Sequence, residues 1–424
     1  MPSAWRRRAV LVALISQRER SHSAEPLAEL ERLAETAGAE IVAQTLQHRD
    51  RPDSATLVGS GKVNEIAELL KQHRANLVIF DNNLSPTQLR NLEEILKTVV
   101  MDRTEIILDI FAIHARSREA KLQIELVQMK YMLPRLVGRR KAMEQFQATA
   151  AVGGGLAAGR GPGEKQIEYD RRVLRERIHS MQKGIEEVQK RRERLVRKRA
   201  EMNFTVSIVG YTNAGKSTLM RRLTGADVYV KDELFSTLDT KTATWELKSR
   251  LRVLLSDTVG FIEDLPKDLV TAFYATLEEV READVLLHVA DAAGPHLDRH
   301  LAAVEEVLEK IGCSKTPRVL LLNKIDRVPE PVERTILSER HPDAVLISAG
   351  TGEGVDKLEE RIEEAISERV VDATLRIPVT EGKVIAEVLG GFAVRRQSAE
   401  NEHMLIEARI PRRDFYKYER YVRA

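Results

Sequence analysis

The residues best equipped for chemistry lie in one loop, Gly210-Tyr211-Thr212-Asn213-Ala214-Gly215-Lys216-Ser217. The apolar run Phe204–Val209 precedes it, and Thr218 opens the helix-like stretch that follows. Strand, glycine-bounded loop ending in Lys-Ser, and helix are the context that a phosphate-binding loop requires. Gly210 and Gly215 let the backbone curl so that successive N–H groups face phosphate oxygens. The helix start adds positive partial charge at the same point. Lys216 can reach β- and γ-phosphates, and the Ser217 hydroxyl can ligate Mg²⁺.

A glycine turn ahead of a helix would explain that loop alone, but three further pieces follow in order. The strand-like Leu251–Ser256 runs into Asp257-Thr258-Val259-Gly260, in which Asp257 can hold Mg²⁺ through water and the Gly260 N–H can meet the γ-phosphate. Arg318–Leu322 leads to Asn323, Lys324 and Asp326. An Asp placed edge-on accepts from guanine N1–H and N2–H, a pair of donors that adenine lacks, so Asp326 selects GTP. Ala344–Ala349 brings Ser348 and a backbone N–H near Ala349 to guanine O6. Between the first two pieces, Phe235-Ser-Thr-Leu-Asp239 supplies Thr237 for Mg²⁺ and the γ-phosphate. The expected metal ligands are thus Ser217, Thr237 and Asp257, and the expected catalytic residues Lys216, Thr237 and Gly260. The four pieces together read as a GTPase.

Phe261 follows Gly260, at the place where a glutamine orients the attacking water in well-known GTPases. Phenylalanine cannot hydrogen-bond that water, so unaided turnover is expected to be slow. A partner supplying the missing group is worth roughly 10³–10⁵ in rate. Asn213 fits two readings equally: a companion to a K⁺ ion beside the phosphates, or a turn residue tolerant of unusual φ.

These motifs sit in a chain of 424 residues, long enough for about two to four domains. It is 43% hydrophobic, 31% charged and near neutral at +2. No run approaches the ~18 apolar residues of a membrane span. Ala9–Ile15 reads as a first strand, because charged residues follow it where a signal peptide would show small ones. The single cysteine, Cys313, excludes an internal disulfide and a zinc cluster. A cytoplasmic protein is expected, with a peripheral place at a membrane left open.

The fold class expected is α/β in four parts. Residues 1–115 alternate strand-like and helix-like segments, implying a small parallel sheet. Ser85-Pro86 marks a helix start, and Glu105–Ile110 is a last strand or a helix start. Within this part, Gly59-Ser-Gly-Lys62 is a shortened phosphate loop or, better, a tight turn. In residues 116–200, Leu122, Leu126, Met129, Leu133 and Leu136 repeat at heptad spacing, as do Leu174, Ile178, Met181, Ile185 and Val188. Two such seams around the glycine-rich Gly153–Gly163 predict an antiparallel helical hairpin, kinked at Pro134. Residues 201–371 form the P-loop GTPase domain. Residues 372–424 form a small α+β appendage whose tyrosines and basic residues suit RNA or a core equally.

Charge is unevenly placed. Residues 116–200 hold 22 Lys and Arg against 10 Asp and Glu, a net of +12, which leaves 45 basic and 55 acidic residues elsewhere. Arg139, Arg140, Lys141, Arg160, Arg171 and Arg172 read as a phosphate-backbone footprint, so RNA is the expected partner of the hairpin.

The chain resembles the HflX family of ribosome-associated GTPases through Asp102–Phe111, Leu122–Leu126, Lys130–Arg135, Gly159-Arg-Gly-Pro-Gly-Glu164, Asp170–Arg172 and the loop 210–217. The resemblance covers about residues 10–370. A GTP- and GDP-binding monomer with Mg²⁺ is expected, and the resemblance implies that it docks on the large ribosomal subunit and its rRNA. It also implies the splitting of stalled or idle ribosomes under stress, with hydrolysis releasing the factor. Some members bind or hydrolyse ATP through the N-terminal domain. The residues alone leave open a second reading, an RNA-docking factor in ribosome assembly or dormancy whose affinity GTP sets.

Overall fold

The apolar runs of the first hundred residues become parallel strands. The computed structural model describes residues 7–16, 26–135, 172–186, 188, 194, 196, 204–225, 234–235, 240–249, 251–262, 274–367 and 370–422. The chain divides into two compact units, Met1–Gln189 with Leu265–Ala272, and Lys190–Asp264 with Phe273–Ala424.

In the first unit, β1 (Arg7–Ile15), β2 (Ala39–His48), β3 (Leu77–Phe80) and β4 (Val99–Asp102) form a parallel sheet of order β2-β1-β3-β4. Val10, Val12, Val78, Phe80 and Val100 meet Ile66 and Leu92 of the covering helices in one apolar cluster. Ser85 and Gln88 close a capping box at the helix Pro86–Leu96, which satisfies two orphan donors of its first turn. Glu105–Ile110 is helical, within Arg103–His114, and the strand before it is β4, which the sequence reading passed over. Asp102 decides the matter by accepting from the Glu105 N–H as N-cap.

Arg118–Met132 is the next helix, and residues 172–186 are helical as well. Leu126, Met129, Ile178 and Ile185 pack together, flanked by Leu122, Leu133, Leu174 and Met181, so the two heptad seams meet as expected. The expected kink at Pro134 falls where the described part of the first helix ends. That helix passes at Met132 into the 3₁₀ turn Leu133–Arg135, since a proline inside the helix would clash with the preceding turn. Residues 136–171, with the glycine-rich segment, lie outside the described residues.

Asp102 also ties the end of this helix to the first sheet. Its carboxylate accepts from the Leu84 N–H at 3.1 Å, from the Tyr131 hydroxyl, and from Arg135 at 3.2 Å. Arg135 lies over the Tyr131 ring, 3.5 Å from its centroid, and donates to Leu84 O.

The second unit centres on β5 (Phe204–Gly210). With β6 (Lys241–Glu246), β7 (Arg252–Asp257), β8 (Val285–Asp291), β9 (Arg318–Asn323) and β10 (Val345–Leu346) it forms a sheet of order β10-β9-β8-β5-β7-β6. Only β6 runs antiparallel. The central β5 is buried almost throughout. It delivers the following loop to the carboxyl end of the sheet, where open α/β sheets bind their ligands.

The last part of the same unit is an antiparallel sheet, β11 (Val370–Pro378), β12 (Ala393–Glu400) and β13 (His403–Pro411), ordered β11-β13-β12. Helix Gly382–Gly391 packs on it. Tyr418 and Tyr421 are buried in its core, and Tyr418 meets Phe392 edge-to-face at 5.4 Å. The structure gives Tyr418 and Tyr421 the core and leaves Tyr416 exposed beside Lys417. Ala393 and Val370 join the apolar cluster of the β5 sheet.

Candidate guanine nucleotide site

The loop after β5 has the geometry that its residue types demand. Gly215 has φ +96 as it caps the helix Lys216–Thr224, and a Cβ there would lie 2.2 Å from Asn323 Nδ2. Only glycine satisfies both constraints. Asn213 takes φ +58, which accords with its reading as a turn residue. Tyr211 is buried and stacks on His300, with ring centroids 3.8 Å apart.

Lys216 is buried, and its Nζ donates to Gly210 O at 3.1 Å and Tyr211 O at 2.7 Å. Burial pushes its pKa down to about 8 against the opposing attraction of Asp257. Ser217 Oγ donates to Asp257 Oδ2 at 2.7 Å in a buried pair. A hydroxyl and a carboxylate at the head of one helix and the end of one strand are the hard oxygen donors that Mg²⁺ prefers, so these residues fit the ion. Thr237, the third expected ligand, lies outside the described residues.

Gly260 approaches the loop closely. A Cβ there would lie 2.9 Å from Thr212 Cα and 3.0 Å from Lys216 Nζ. The next residue, Phe261, is joined to the loop by backbone alone, its N–H donating to Gly210 O and its carbonyl accepting from the Thr212 N–H. Its ring is 3% exposed. Phe261 is therefore packed into the protein rather than offered to a water. Phe235 is buried with φ +57.

The base-recognition residues converge from two strand ends. Asn323 ties them to the phosphate loop, donating from Nδ2 to Ala214 O at 2.7 Å and accepting from the Ala349 N–H at 2.9 Å. The Ala349 N–H that the sequence assigns to guanine O6 is thus shared with Asn323. Asp326 stands exposed in the 3₁₀ turn Ile325–Arg327. Lys324, with φ +64, pairs with Asp291 at 2.8 Å. Ser348 is buried, and its hydroxyl accepts from the Thr351 N–H.

Three contributors escaped the sequence reading. Asp291 ends β8 as Asp257 ends β7, and that position was the available signal. Arg222 and Arg334 reach the base loops from helices, with nothing in their spacing to mark them.

The other expected sites fare differently. Arg139, Arg140, Lys141, Arg160 and Arg171 lie outside the described residues, while Arg172 is exposed and faces Glu176. In Gly59-Ser-Gly-Lys62, the Gly59 N–H donates to Gln47 and Lys62 Nζ is held by Thr45 and Glu65 at 3.0 and 2.7 Å. Asn82 pairs with both backbone groups of Leu14, stitching β1 to the end of β3 where an open sheet would take a ligand. Both observations favour the plain turn. Among the described residues, no helix is long and apolar enough to cross a membrane.

Comparison with known proteins agrees with this geometry. Residues 205–324 match the family described as 50S ribosome-binding GTPase, residues 24–112 the GTP-binding GTPase N-terminal family, and residues 114–199 the GTP-binding GTPase middle region. A GTPase HflX of Caldanaerobacter subterraneus is 46% identical, covering 84% of this chain and 80% of its own length. That of Escherichia coli is 42% identical over 91% of this chain and 90% of its own, and that of Alkalihalophilus pseudofirmus 41% over 89% and 87%. With a phosphate loop, a Ser217–Asp257 pair and an Asn323-Lys324-Ile325-Asp326 turn held in one site, and with relatives this similar along most of its length, the chain belongs to the HflX family of GTPases.

Proposed function

We propose that this GTPase docks on the large ribosomal subunit through the basic segment 116–200 and splits stalled or idle ribosomes, with GTP hydrolysis releasing it. The observation that carries the reading is the net charge of +12 confined to that segment, beside a GTPase domain of a family described as ribosome-binding. Phosphate contacts by Lys and Arg supply affinity without sequence reading, which suits rRNA. The protein acts as a monomer in the cytoplasm, where ribosomes are.

In this reading, Lys216 exchanges the carbonyls of Gly210 and Tyr211 for β- and γ-phosphate oxygens. The anions keep it charged despite burial. Ser217, Asp257 and Thr237 would hold Mg²⁺, which would neutralise charge on the same phosphates. Gly260, whose position leaves no room for a Cβ beside Lys216 Nζ, serves the γ-phosphate with its N–H. Asp326 accepts from guanine N1–H and N2–H. With the Phe261 ring packed away, water would be oriented by a group from the ribosome, and a K⁺ ion beside the phosphates would add positive charge.

The test is subunit dissociation by sedimentation, using a non-hydrolysable GTP analogue and a variant in which Gly153–Gly163 is replaced by a short neutral turn. Wild type should split ribosomes with the analogue and fail to leave. The loop variant should keep its GTP affinity, dock more weakly and not split. Neutralising Arg139, Arg140 and Lys141 should lower the salt slope of docking by somewhat under one log unit for each phosphate no longer neutralised. A loop variant that splits at full rate overturns the mechanism. Binding to assembly intermediates without splitting would identify an assembly or dormancy factor instead.

A further inference from the structure

Two arginines grip the loops that present the base-recognition residues, and each grips a different one. Arg222, in the helix that begins at the phosphate loop, donates from Nε to Ala349 O at 3.2 Å and from Nη2 to Gly350 O. Arg334, in the helix Pro331–Arg340, donates from Nε to Val328 O at 2.7 Å and from Nη2 to Ile325 O at 2.8 Å. These carbonyls are not incidental. A trans peptide is planar, so holding a C=O fixes the N–H on its opposite side. The Ala349 carbonyl shares its peptide with the Gly350 N–H, and the Ile325 carbonyl shares its peptide with the N–H of Asp326.

We propose that Arg222 and Arg334 are the positioning residues of base selectivity, Arg222 for the oxygen at guanine C6 and Arg334 for the donors at N1 and C2. This rests on the reading of Asp326 and the Ala349–Gly350 backbone as the groups that meet the base. Arg222 sets the Ala349–Gly350 peptide plane, directly after the Ala349 N–H that serves O6, and because it stands on the phosphate-loop helix it holds that plane in register with the phosphates. Arg334 sets the turn on which Asp326 stands, spanning it from Ile325 to Val328. A guanidinium is suited to both tasks, since its rigid planar fork reaches two carbonyls at once, whereas an ammonium is a single point charge. Arg334 also pairs with Glu353 at 2.9 Å. That contact is exposed at both ends, and such pairs add little.

The experiment titrates the full-length protein with GDP, with inosine diphosphate, which lacks the 2-amino group, and with 6-thioguanosine diphosphate, which keeps N1–H and the 2-amino group but puts a weakly accepting sulfur in place of O6. Wild type should prefer GDP over each analogue by about tenfold, the effect of leaving one site group without its partner. Arg222→Met should lose the preference over the 6-thio nucleotide and keep that over inosine diphosphate. Arg334→Met should do the reverse. Lysine at either position should give the same pattern at smaller amplitude, which keeps the test alive if a methionine variant does not fold. Glu353→Gln should leave both preferences as in wild type, and a shift in either would move the effect to the ion pair and overturn the division. Variants that lose both preferences together, or keep both, overturn the proposal. A wild type indifferent to both analogues overturns the assignment of Asp326 and Ala349–Gly350 beneath it, which separates that failure from one of the arginines alone.

Discussion

Phe261 and Tyr211 form a single parallel bridge, with the Phe261 N–H 3.1 Å from Gly210 O and the Thr212 N–H 2.8 Å from Phe261 O. The residue beside the expected γ-phosphate donor is thereby fixed by its backbone, with its side chain inside the protein. Hydrolysis is expected to be slow in isolation and faster with large subunits, more so in K⁺ than in Na⁺. Phosphate release in those four conditions checks this, and equal rates in all of them would sink both ideas. Phe261→Gln should not speed isolated turnover, because the amide inherits a buried direction. It should cost about 1–3 kcal/mol in urea unfolding, as an unpartnered buried amide does.

Asp326→Asn should exchange guanine for xanthine preference, since an amide N–H replaces one acceptor. Each mismatched hydrogen bond costs about 1–3 kcal/mol. Nucleotide titration with GTP and XTP reads the outcome, and unchanged GTP affinity would remove Asp326 from the site.

Acid stability should depend on Glu305. The His288 imidazole, 3.4 Å away, holds its carboxyl down to about 2, against burial that raises it and with Arg318 adding to the pull. The folded pKa lies below the ordinary 4.5, so the contribution is complete above 4.5 and lost as pH falls toward 2. Glu305→Gln should flatten the acid limb of a circular-dichroism titration in that window. The carboxylate is half-exposed, so the difference should shrink with added salt.

The Asp102 cluster predicts a separable effect. Asp102 is 1% exposed on its side chain and Arg135 9%. Removing one partner of a buried pair costs about 3–5 kcal/mol. Arg135→Met should therefore speed hydrogen exchange around Leu84 and Leu133–Arg135, and Tyr131→Phe should do so less. GTP affinity should be unchanged in both. Unaltered exchange in Arg135→Met would show that the cluster does not hold this end of the helix.

Much of this was legible because short-range rules carried it. The loop 210–217 needs a left-handed Gly215 and a following helix, and both needs are written in adjacent residues. The seams Leu122–Leu133 and Leu174–Ile185 found each other because heptad spacing leaves one apolar face to bury. Where long-range partners decide, the sequence was mute. Val99–Met101 and Ile106–Leu108 are both short apolar runs that fit a strand or a helix, and the boundary falls where the Asp102 carboxylate caps a helix. Strand β12, mostly exposed and carrying Arg395, Arg396 and Gln397, has no apolar alternation to announce it; it exists because β13 pairs with it. Arg222 lies 127 residues from the carbonyl it holds, a distance no motif spans.

Ala393 and Val370, at one end of the last sheet, are part of the apolar cluster beneath β5. The C-terminal part is therefore not an interchangeable cassette. Swapping it between relatives would import a foreign pair of residues into the layer that seats the phosphate loop, and grafting success should follow the fit at 370 and 393 more closely than overall likeness. Change in the appendage is tethered at one end and free at the other, so its strands can drift toward new partners only away from Ala393, along Arg396–Glu400.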